Sequence, residues 1–285
     1  MKRLALSLAL VFALGACGGG DDEDSSGSDD TGDCGPDSDV WHQPGALTVA
    51  TGEPAFPPYV IDDAPESGEG FESAVVYALA EELGFADDQV TWVRTTFDEA
   101  IAPGEKAYDF NIQQYGITAE RDEVVDFSLP YYNDQKTLLA LGDSEGASAT
   151  TFAELAGLRF GATIGTTDLD YIVDEIGIAE GDVAVYNDQA ATFAALDAGQ
   201  IDATVIGLPT ALYVTAVELP QVVIAGMLPR TESDAEGGMG MLFTDGNPAR
   251  DCVNTALQTL TDDGTLAELD EEWMQSGGEI PEITE

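Results

Sequence analysis

Arg121 is the side chain whose type and setting most clearly suggest chemistry. It lies in the stretch DFNIQQYGITAERDEVVDFSLPYY, from Asp109 to Tyr132, in a chain with 9 Lys and Arg residues against 55 Asp and Glu residues. A guanidinium in so acidic a chain is a candidate for one specific task, such as binding a carboxylate. The alternative is an arginine that pairs with a nearby acid in a connection between a strand and a helix.

Two hydroxyl side chains form a second candidate group. Gly165, Thr166 and Thr167 precede a helix predicted over residues 168–176. The first N–H groups of a helix have no partners inside it, so this turn could bind an anion. Either threonine could equally serve as the N-cap of the helix, and the two roles are compatible.

A proline-rich loop, TGEPAFPPYVIDD, follows a short strand predicted at residues 47–50. Its prolines exclude a helix and place the loop at the carboxyl end of that strand, where open α/β sheets bind ligands. Phe56 and Tyr59 in this loop could cover a ligand, or they could fill the edge of the domain instead.

Charge and composition exclude several classes of function. The formal net charge is -46, which would repel nucleic acids and anionic membranes, so neither is expected as a partner. So acidic and lysine-poor a surface fits a protein that stays soluble in high salt. The only histidine is His42 and the cysteines lack metal-ligand spacing, so we expect no metal, no cofactor and no Cys–His catalytic site.

The N-terminus has the pattern of a secretory signal. A basic pair precedes the apolar run Leu4–Leu14, which is too short to span a bilayer and ends in a Leu-Gly-Ala-Cys sequence resembling a bacterial lipobox. We predict a signal peptide over residues 1–16, lipidation of Cys17, and an acidic flexible tether over residues 17–39. The mature chain would be anchored to the cell membrane outside the cytoplasm. An ordinary cleavage site with an incidental cysteine is the alternative.

The two other cysteines, Cys34 and Cys252, would then lie in an oxidising compartment. A disulfide between them would tie the start of the folded body to a helix near its end. Two unpaired thiols are the alternative, which is less common outside the cell.

Strand and helix patterns alternate along the rest of the chain. The predicted strands begin at residues 47, 90, 108, 136, 158, 183, 202, 221 and 239, with helices between and after them. This alternation predicts an α/β fold of two lobes, each a mostly parallel sheet flanked by helices, joined by two extended crossings. The expected lobes are residues 40–134 with 230–285, and residues 135–229.

From about Leu47 to Met274 the chain resembles the bacterial extracellular solute-binding proteins of family 3, the polar amino-acid receptors of ABC importers. Each matching motif is weak alone, whereas the ordered set is specific. The motifs are Pro57-Pro58-Tyr59, Gly70-Phe71-Glu72, Ile117-Thr118-Ala119-Glu120-Arg121, Asp126-Phe127-Ser128-Leu129-Pro130-Tyr131-Tyr132, Gly165-Thr166-Thr167, Gly199-Gln200-Ile201-Asp202-Ala203, Leu208-Pro209 and Asp263-Gly264-Thr265-Leu266.

The resemblance implies a type II periplasmic-binding-protein fold and a monomeric receptor that captures an amino acid or related small carboxylate between its lobes. Closure about the crossings near residues 132–136 and 227–237 would present the ligand to an ABC permease. Arg121 occupies the position that binds the ligand's α-carboxylate through two parallel hydrogen bonds. The resemblance also assigns Thr166 and Thr167 to the carboxylate site. It places Phe56 and Phe97 around the ligand's side chain.

Three positions depart from the family pattern. Gln114-Tyr115-Gly116 stands where relatives carry a hydroxyl residue that bonds the carboxylate, so Gln114 and Gly116 mark a difference in specificity. Gly207 stands where relatives carry the aspartate that binds the ligand's ammonium group. The acid of the first loop is displaced to Glu53.

These departures leave two questions open. Either Glu53, Asp168 or Glu236 supplies a counter-charge for an ammonium group, or the ligand lacks one, because an unpaired buried ammonium is costly. The alternative function is an enzyme on the same fold, of the cyclohexadienyl dehydratase type, with Glu53 or Glu72 as its acid. Glu72 is equally explained by its place at a helix N-terminus. We expect a binding protein without catalytic residues.

Overall fold

The computed structural model describes residues 34–231, 237–274 and 279–284. The predicted signal peptide, Cys17 and Glu236 lie outside these residues. None of the helices in the described part of the chain has the length and apolar character that crossing a membrane requires.

The first lobe is built on a five-stranded sheet. Its strands, numbered along the chain, are β1 (Leu47–Gly52), β2 (Val90–Thr95), β3 (Phe110–Asn111), β4 (Val125–Phe127) and β10 (Leu242–Thr244). The strand order is β2-β1-β3-β10-β4. β1 pairs in parallel with β2 and β3, whereas β10 is antiparallel to β3 and β4. β10 is the strand by which the chain returns to this lobe, so it enters the sheet in the opposite direction.

Four helices cover this sheet: α1 (Phe71–Glu82), α2 (Phe97–Ile101), α7 (Ala249–Asp262) and α8 (Thr265–Trp273). The apolar faces of α1, α7 and α8 pack with the strands into one core that includes Leu47, Leu79, Phe243 and Leu257, all almost fully buried. Burying each such side chain contributes about 1.5–3 kcal/mol. Ala100 of α2 packs in a separate cluster on the same lobe. The main core fixes the end of β1 that borders the cleft described below.

The second lobe contains five more strands and four short helices. The strands are β5 (Lys136–Leu141), β6 (Gly161–Thr163), β7 (Ala184–Tyr186), β8 (Ala203–Gly207) and β9 (Val222–Met227). The helices are α3 (Phe152–Leu155), α4 (Thr167–Asp174), α5 (Gln189–Asp197) and α6 (Leu208–Tyr213).

The second lobe corrects the expectation of mostly parallel sheets. β5 lies between β8 and β9 and is antiparallel to both, while β6 and β7 form a separate parallel pair. A parallel bridge from Phe160 to Ala203 links that pair to β8. β5 enters from the first lobe and is antiparallel to both of its neighbours, as β10 is in the first lobe. The fold is therefore α/β with mixed sheets, because one strand in each lobe follows a crossing.

The C-terminal residues also depart from the prediction, which puts residues 230–285 in the first lobe. α8 packs on α1, yet Glu282 pairs with Met227 at the end of β9 and Thr284 pairs with Thr151 in the second lobe. Ile283 is 1% exposed in the core of that lobe. Burial of this one apolar side chain, with backbone pairing on both sides, places the last described residues on the second lobe.

A disulfide joins Cys34 to Cys252, whose Cα atoms lie 5.6 Å apart. The pairing, left open by the sequence, connects the start of the described chain to α7. The bond closes a sequence separation of 218 residues.

A candidate ligand-binding cleft between the two lobes

A cavity of about 580 Å³ separates the two lobes. It is lined by the loop after β1, the start of α2, residues 113–121, the first crossing, and the starts of α4 and α5. All nine residues predicted to bind the ligand line this one cavity: Glu53, Phe56, Phe97, Gln114, Gly116, Arg121, Thr166, Thr167 and Gly207. They come from both lobes, so a ligand held here would contact each of them.

Arg121 is buried in the cleft wall, with 8% of its surface exposed. Its Nη1 donates to the carbonyl oxygen of Gly116 at 2.7 Å, and its Nη2 donates to the carbonyl oxygen of Gly165 at 2.7 Å. Gly165 belongs to the second lobe, so the guanidinium joins the lobes. No carboxylate of the described residues forms an ion pair with Arg121, so the pairing with a nearby acid is not seen there. Two of the five guanidinium N–H donors are used in these contacts.

Aromatic stacking fixes the guanidinium from the side. Its Cζ lies 5.5 Å from the centre of the Phe97 ring, within the range of a cation–π contact. Phe97 begins α2, where Thr96 and Glu99 form a reciprocal N-terminal cap. The Phe97 ring stacks on Tyr115 at 4.6 Å between centres. Tyr115, which belongs to the segment that differs from the family pattern, is fully buried and supports the Phe97 ring on the side away from the cleft.

Gln114 lines the cleft, and its N–H groups bond to Glu72 in the wall behind it. Its backbone N–H donates to Glu72 at 2.8 Å, and its side-chain amide also donates to that carboxylate. Tyr131 donates to the same carboxylate through its hydroxyl. Gln114 has a φ of 51°, a left-handed conformation that few residues other than glycine adopt. Glu72 thus fixes the strained residue that precedes Tyr115 and Gly116.

The two threonines have different roles in the structure. Thr166 is the N-cap of α4: its hydroxyl accepts from the N–H of Leu169 at 3.3 Å and donates to the carbonyl of Thr163 at 2.8 Å. Thr167 accepts a hydrogen bond from Lys136 Nζ at 2.9 Å. A Cβ built on Gly116 would lie 3.3 Å from the Thr167 methyl group, so glycine lets the lobes approach closely here.

Two charged residues of the first crossing were not predicted in the cleft. Lys136 donates to Asp168 at 2.7 Å as an ion pair, and both side chains are mostly buried. Asp134 also lines the cavity, and its Oδ1 accepts from the N–H groups of Gln135 at 2.7 Å and Leu208 at 3.2 Å. The only signal in the sequence is that Lys136 is a rare cation two residues after an acid.

The cleft is acidic overall. Among the residues that the structure describes, eight carboxyl groups line it against two cations, Arg121 and Lys136. The acids are Glu53, Glu120, Asp134, Asp168, Asp170, Asp174, Glu175 and Asp188. The local potential therefore favours a positively charged ligand.

The two acids proposed for an enzyme have different surroundings. Glu72 is fully buried and its carboxylate is surrounded by Gln114 and Tyr131; burial raises its pKa to about 7, against the opposing effect of these donors. Glu53 is exposed, and its charge acts on the nearby Arg94. Glu72 is thus a support for the cleft wall.

The sequence profile of the bacterial extracellular solute-binding proteins, family 3, matches residues 47–276. The chain belongs to this family. Similar proteins include the ABC transporter arginine-binding protein 1 of Escherichia coli (strain K12), 28% identical over 220 residues, or 76% of this chain and 86% of that protein. The L-cystine-binding protein TcyJ of the same strain is 28% identical over 232 residues, or 80% and 82% of the two chains.

A solved structure described as an ancestral arginine-binding protein bound to arginine is also similar. It has a TM-score of 0.66 and 28% identity, and the match covers 81% of this chain and 99% of that chain. The family and the type II fold predicted from the ordered motifs are thereby confirmed. The relatives are binding proteins, and the family is extracellular.

Proposed function

We propose that this family-3 protein captures a free amino acid in the cleft and delivers it to an ABC importer. The observation that carries the proposal is the buried guanidinium of Arg121, which is held by two carbonyl groups and stacked beside Phe97. Burial lowers the pKa of Arg121, but a guanidinium stays charged at any physiological pH. A ligand carboxylate would supply the anion that this cation favours, with two parallel hydrogen bonds.

Both lobes contribute to this end of the cleft, which couples binding to closure. Arg121 and Gly116 belong to the first lobe, while Gly165 and Thr167 belong to the second. We propose hinges near residues 132–136 and 227–237, so that the monomeric receptor closes on the ligand and its closed form is recognised by the permease.

The lobes that would move are residues 40–134 with 230–274, and residues 135–229 with the C-terminal residues paired to them. The ligand would therefore be released only when the lobes separate and the contacts of Arg121 with the second lobe are broken.

The charge of the cleft favours a cationic amino acid over an acidic one. Eight carboxyl groups against two cations leave an excess of negative charge after Arg121 has bound the ligand's carboxylate. A second positive group on the ligand would lower this repulsion. The similarity to an E. coli arginine-binding protein and to an arginine-bound ancestral protein supports L-arginine as the first ligand to test.

Isothermal titration calorimetry with the twenty common amino acids, at low and at high salt, tests this function. We expect L-arginine to bind the wild type. Arg121→Ala should lower the affinity for L-arginine by about 100-fold or more, as the loss of two charged hydrogen bonds implies. Arg121→Lys keeps the charge but lacks the planar guanidinium, so its affinity for L-arginine should lie between those of the wild type and Arg121→Ala. Arg159→Ala removes an exposed arginine paired with Asp202 and is the matched control. Wild-type affinity in Arg121→Ala would refute the assignment.

We further propose that Cys17 carries the lipid that holds the receptor at the membrane. The support is the Leu-Gly-Ala-Cys sequence followed by an acidic tract. Radiolabelled palmitate should enter the wild-type protein in bacterial cells but not Cys17→Ala, which should appear in the soluble fraction. Equal labelling of the two would contradict the anchor.

A further inference from the structure

The carboxylate of Asp134 fills the space in which a side chain of residue 207 would lie. A Cβ built on Gly207 would be 1.7 Å from Asp134 Oδ2 and 2.7 Å from its Cγ. The reason is the strand register: Lys136 of β5 faces Gly207 at the end of β8, so the residues just before Lys136 cross over that end. The space left by the absent side chain at position 207 is thus occupied by an acid from the first crossing.

One oxygen of Asp134 is held by the protein and the other is presented to the cleft. Oδ1 accepts the two backbone hydrogen bonds from Gln135 and Leu208, which fix the direction of the carboxylate. Oδ2 accepts no hydrogen bond from the described residues. The side chain lines the cavity and is half-buried. Burial raises the pKa of the Tyr59 hydroxyl, and the charge of Asp134 adds to the shift.

The charges around Asp134 do not balance. Lys136 is the cation nearest in sequence, but it forms its ion pair with Asp168. When Asp134 is ionised, it carries together with Lys136 and Asp168 one excess negative charge. Burial, reinforced by Asp168, raises the pKa of Asp134 to about 7, although Lys136 opposes the shift. A cationic group in the cleft would remove this imbalance.

Asp134 and Arg121 line the same cavity. Lys136 reaches Thr167, and Thr167 lies against Gly116, whose carbonyl orients Arg121. We propose that Asp134 binds the α-ammonium group of the ligand while Arg121 binds its carboxylate. This inference rests on the proposed capture of an amino acid.

The other candidate acids are placed less suitably. Asp168 is already paired with Lys136, and Glu53 is exposed in the loop after β1, with Arg94 nearby. An ammonium group bound by Asp134 would lie beside the first crossing, so ligand binding would act directly on a residue of the proposed hinge.

Three probes separate the ammonium site from the carboxylate site. L-arginine carries both groups, agmatine lacks the carboxylate, and 5-guanidinopentanoate lacks the α-ammonium. Asp134→Asn keeps an oxygen to accept the two backbone hydrogen bonds. We expect this variant to lower the affinity for L-arginine and for agmatine by roughly 10- to 100-fold, and to bind 5-guanidinopentanoate as tightly as the wild type does. Glu175→Gln removes the same charge from the same cavity without freeing Lys136, and should leave the preference for L-arginine over 5-guanidinopentanoate almost unchanged.

A relocation variant gives a positive test. Gly207→Asp alone would collide with Asp134, but the double variant Asp134→Gly/Gly207→Asp returns a carboxylate to the same space. It should restore the preference for L-arginine over 5-guanidinopentanoate. An unchanged preference in Asp134→Asn, or an equal loss of preference in Glu175→Gln, would overturn the assignment to Asp134. Failure of the wild type to bind any of the three probes would overturn the cationic amino-acid proposal together with this one.

Discussion

Replacement of Glu72 by glutamine should make the protein progressively more stable relative to wild type as the pH rises. Burial raises the pKa of Glu72 from 4.5 to about 7, so the folded state holds the proton more tightly than the unfolded state. Below the unfolded pKa both states are protonated and there is no penalty. Stability is then lost as the pH rises through the folded pKa. A shift of this size corresponds to about 3 kcal/mol, at about 1.4 kcal/mol per unit.

Glutamine at this position removes the titration and keeps the shape. Its amide oxygen can accept from Gln114 N–H and from Tyr131, while the Gln114 side-chain amide turns over to accept from the new amide group. The cost at low pH should therefore be small. Glu72→Ala, in contrast, leaves the Gln114 N–H and the Tyr131 hydroxyl unpaired, at about 1–3 kcal/mol each.

The assay is urea unfolding followed by tryptophan fluorescence from pH 4.5 to pH 8 at constant ionic strength. The difference in unfolding free energy between Glu72→Gln and wild type should rise by about 3 kcal/mol over this range. Glu81→Gln, which removes one charge from the exposed end of α1, is the matched control. A difference that stays flat with pH would refute the argument from burial.

Three further predictions concern the lobes. Cys252→Ser opens a disulfide that spans 218 residues and should lower the unfolding free energy by about 5 kcal/mol, measured by urea unfolding; no change with or without a reducing agent would argue against the bond. Ile283→Ala empties a buried site in the second lobe and should cost about 2–5 kcal/mol in the same assay, while a loss below about 1 kcal/mol would show that the C-terminal residues are not held there. Gly116→Ala places a methyl group against Thr167 and should weaken ligand binding by calorimetry without lowering the melting temperature; a matching loss of both would point to misfolding.

Elements with local end signals could be predicted well from the sequence. β5 begins at the predicted residue, Lys136. α2 begins at the cap formed by Thr96 and Glu99, three residues apart, so its start depends on neighbours in sequence. β3 and β10 begin at Phe110 and Leu242, after the predicted starts at residues 108 and 239, because pairing with the partner strands sets where they begin.

The site could be predicted in part. The position of Arg121 follows from its motif and from the rarity of cations in the chain. The partners of Glu72 are Gln114 and Tyr131, at separations of 42 and 59 residues, so its role as a support depends on tertiary contacts. The acid that fills the space beside Gly207 is Asp134, brought there by the register of β5 against β8. No local pattern carries that information.

The central claim is that Arg121 holds the carboxylate of an amino acid between the lobes. A crystal structure of the protein with L-arginine tests it most directly. We predict both carboxylate oxygens within about 3 Å of the Arg121 guanidinium nitrogens, in the cavity bordered by Phe97 and Thr167. A bound L-arginine whose carboxylate points away from Arg121, or which lies outside this cavity, would contradict the account.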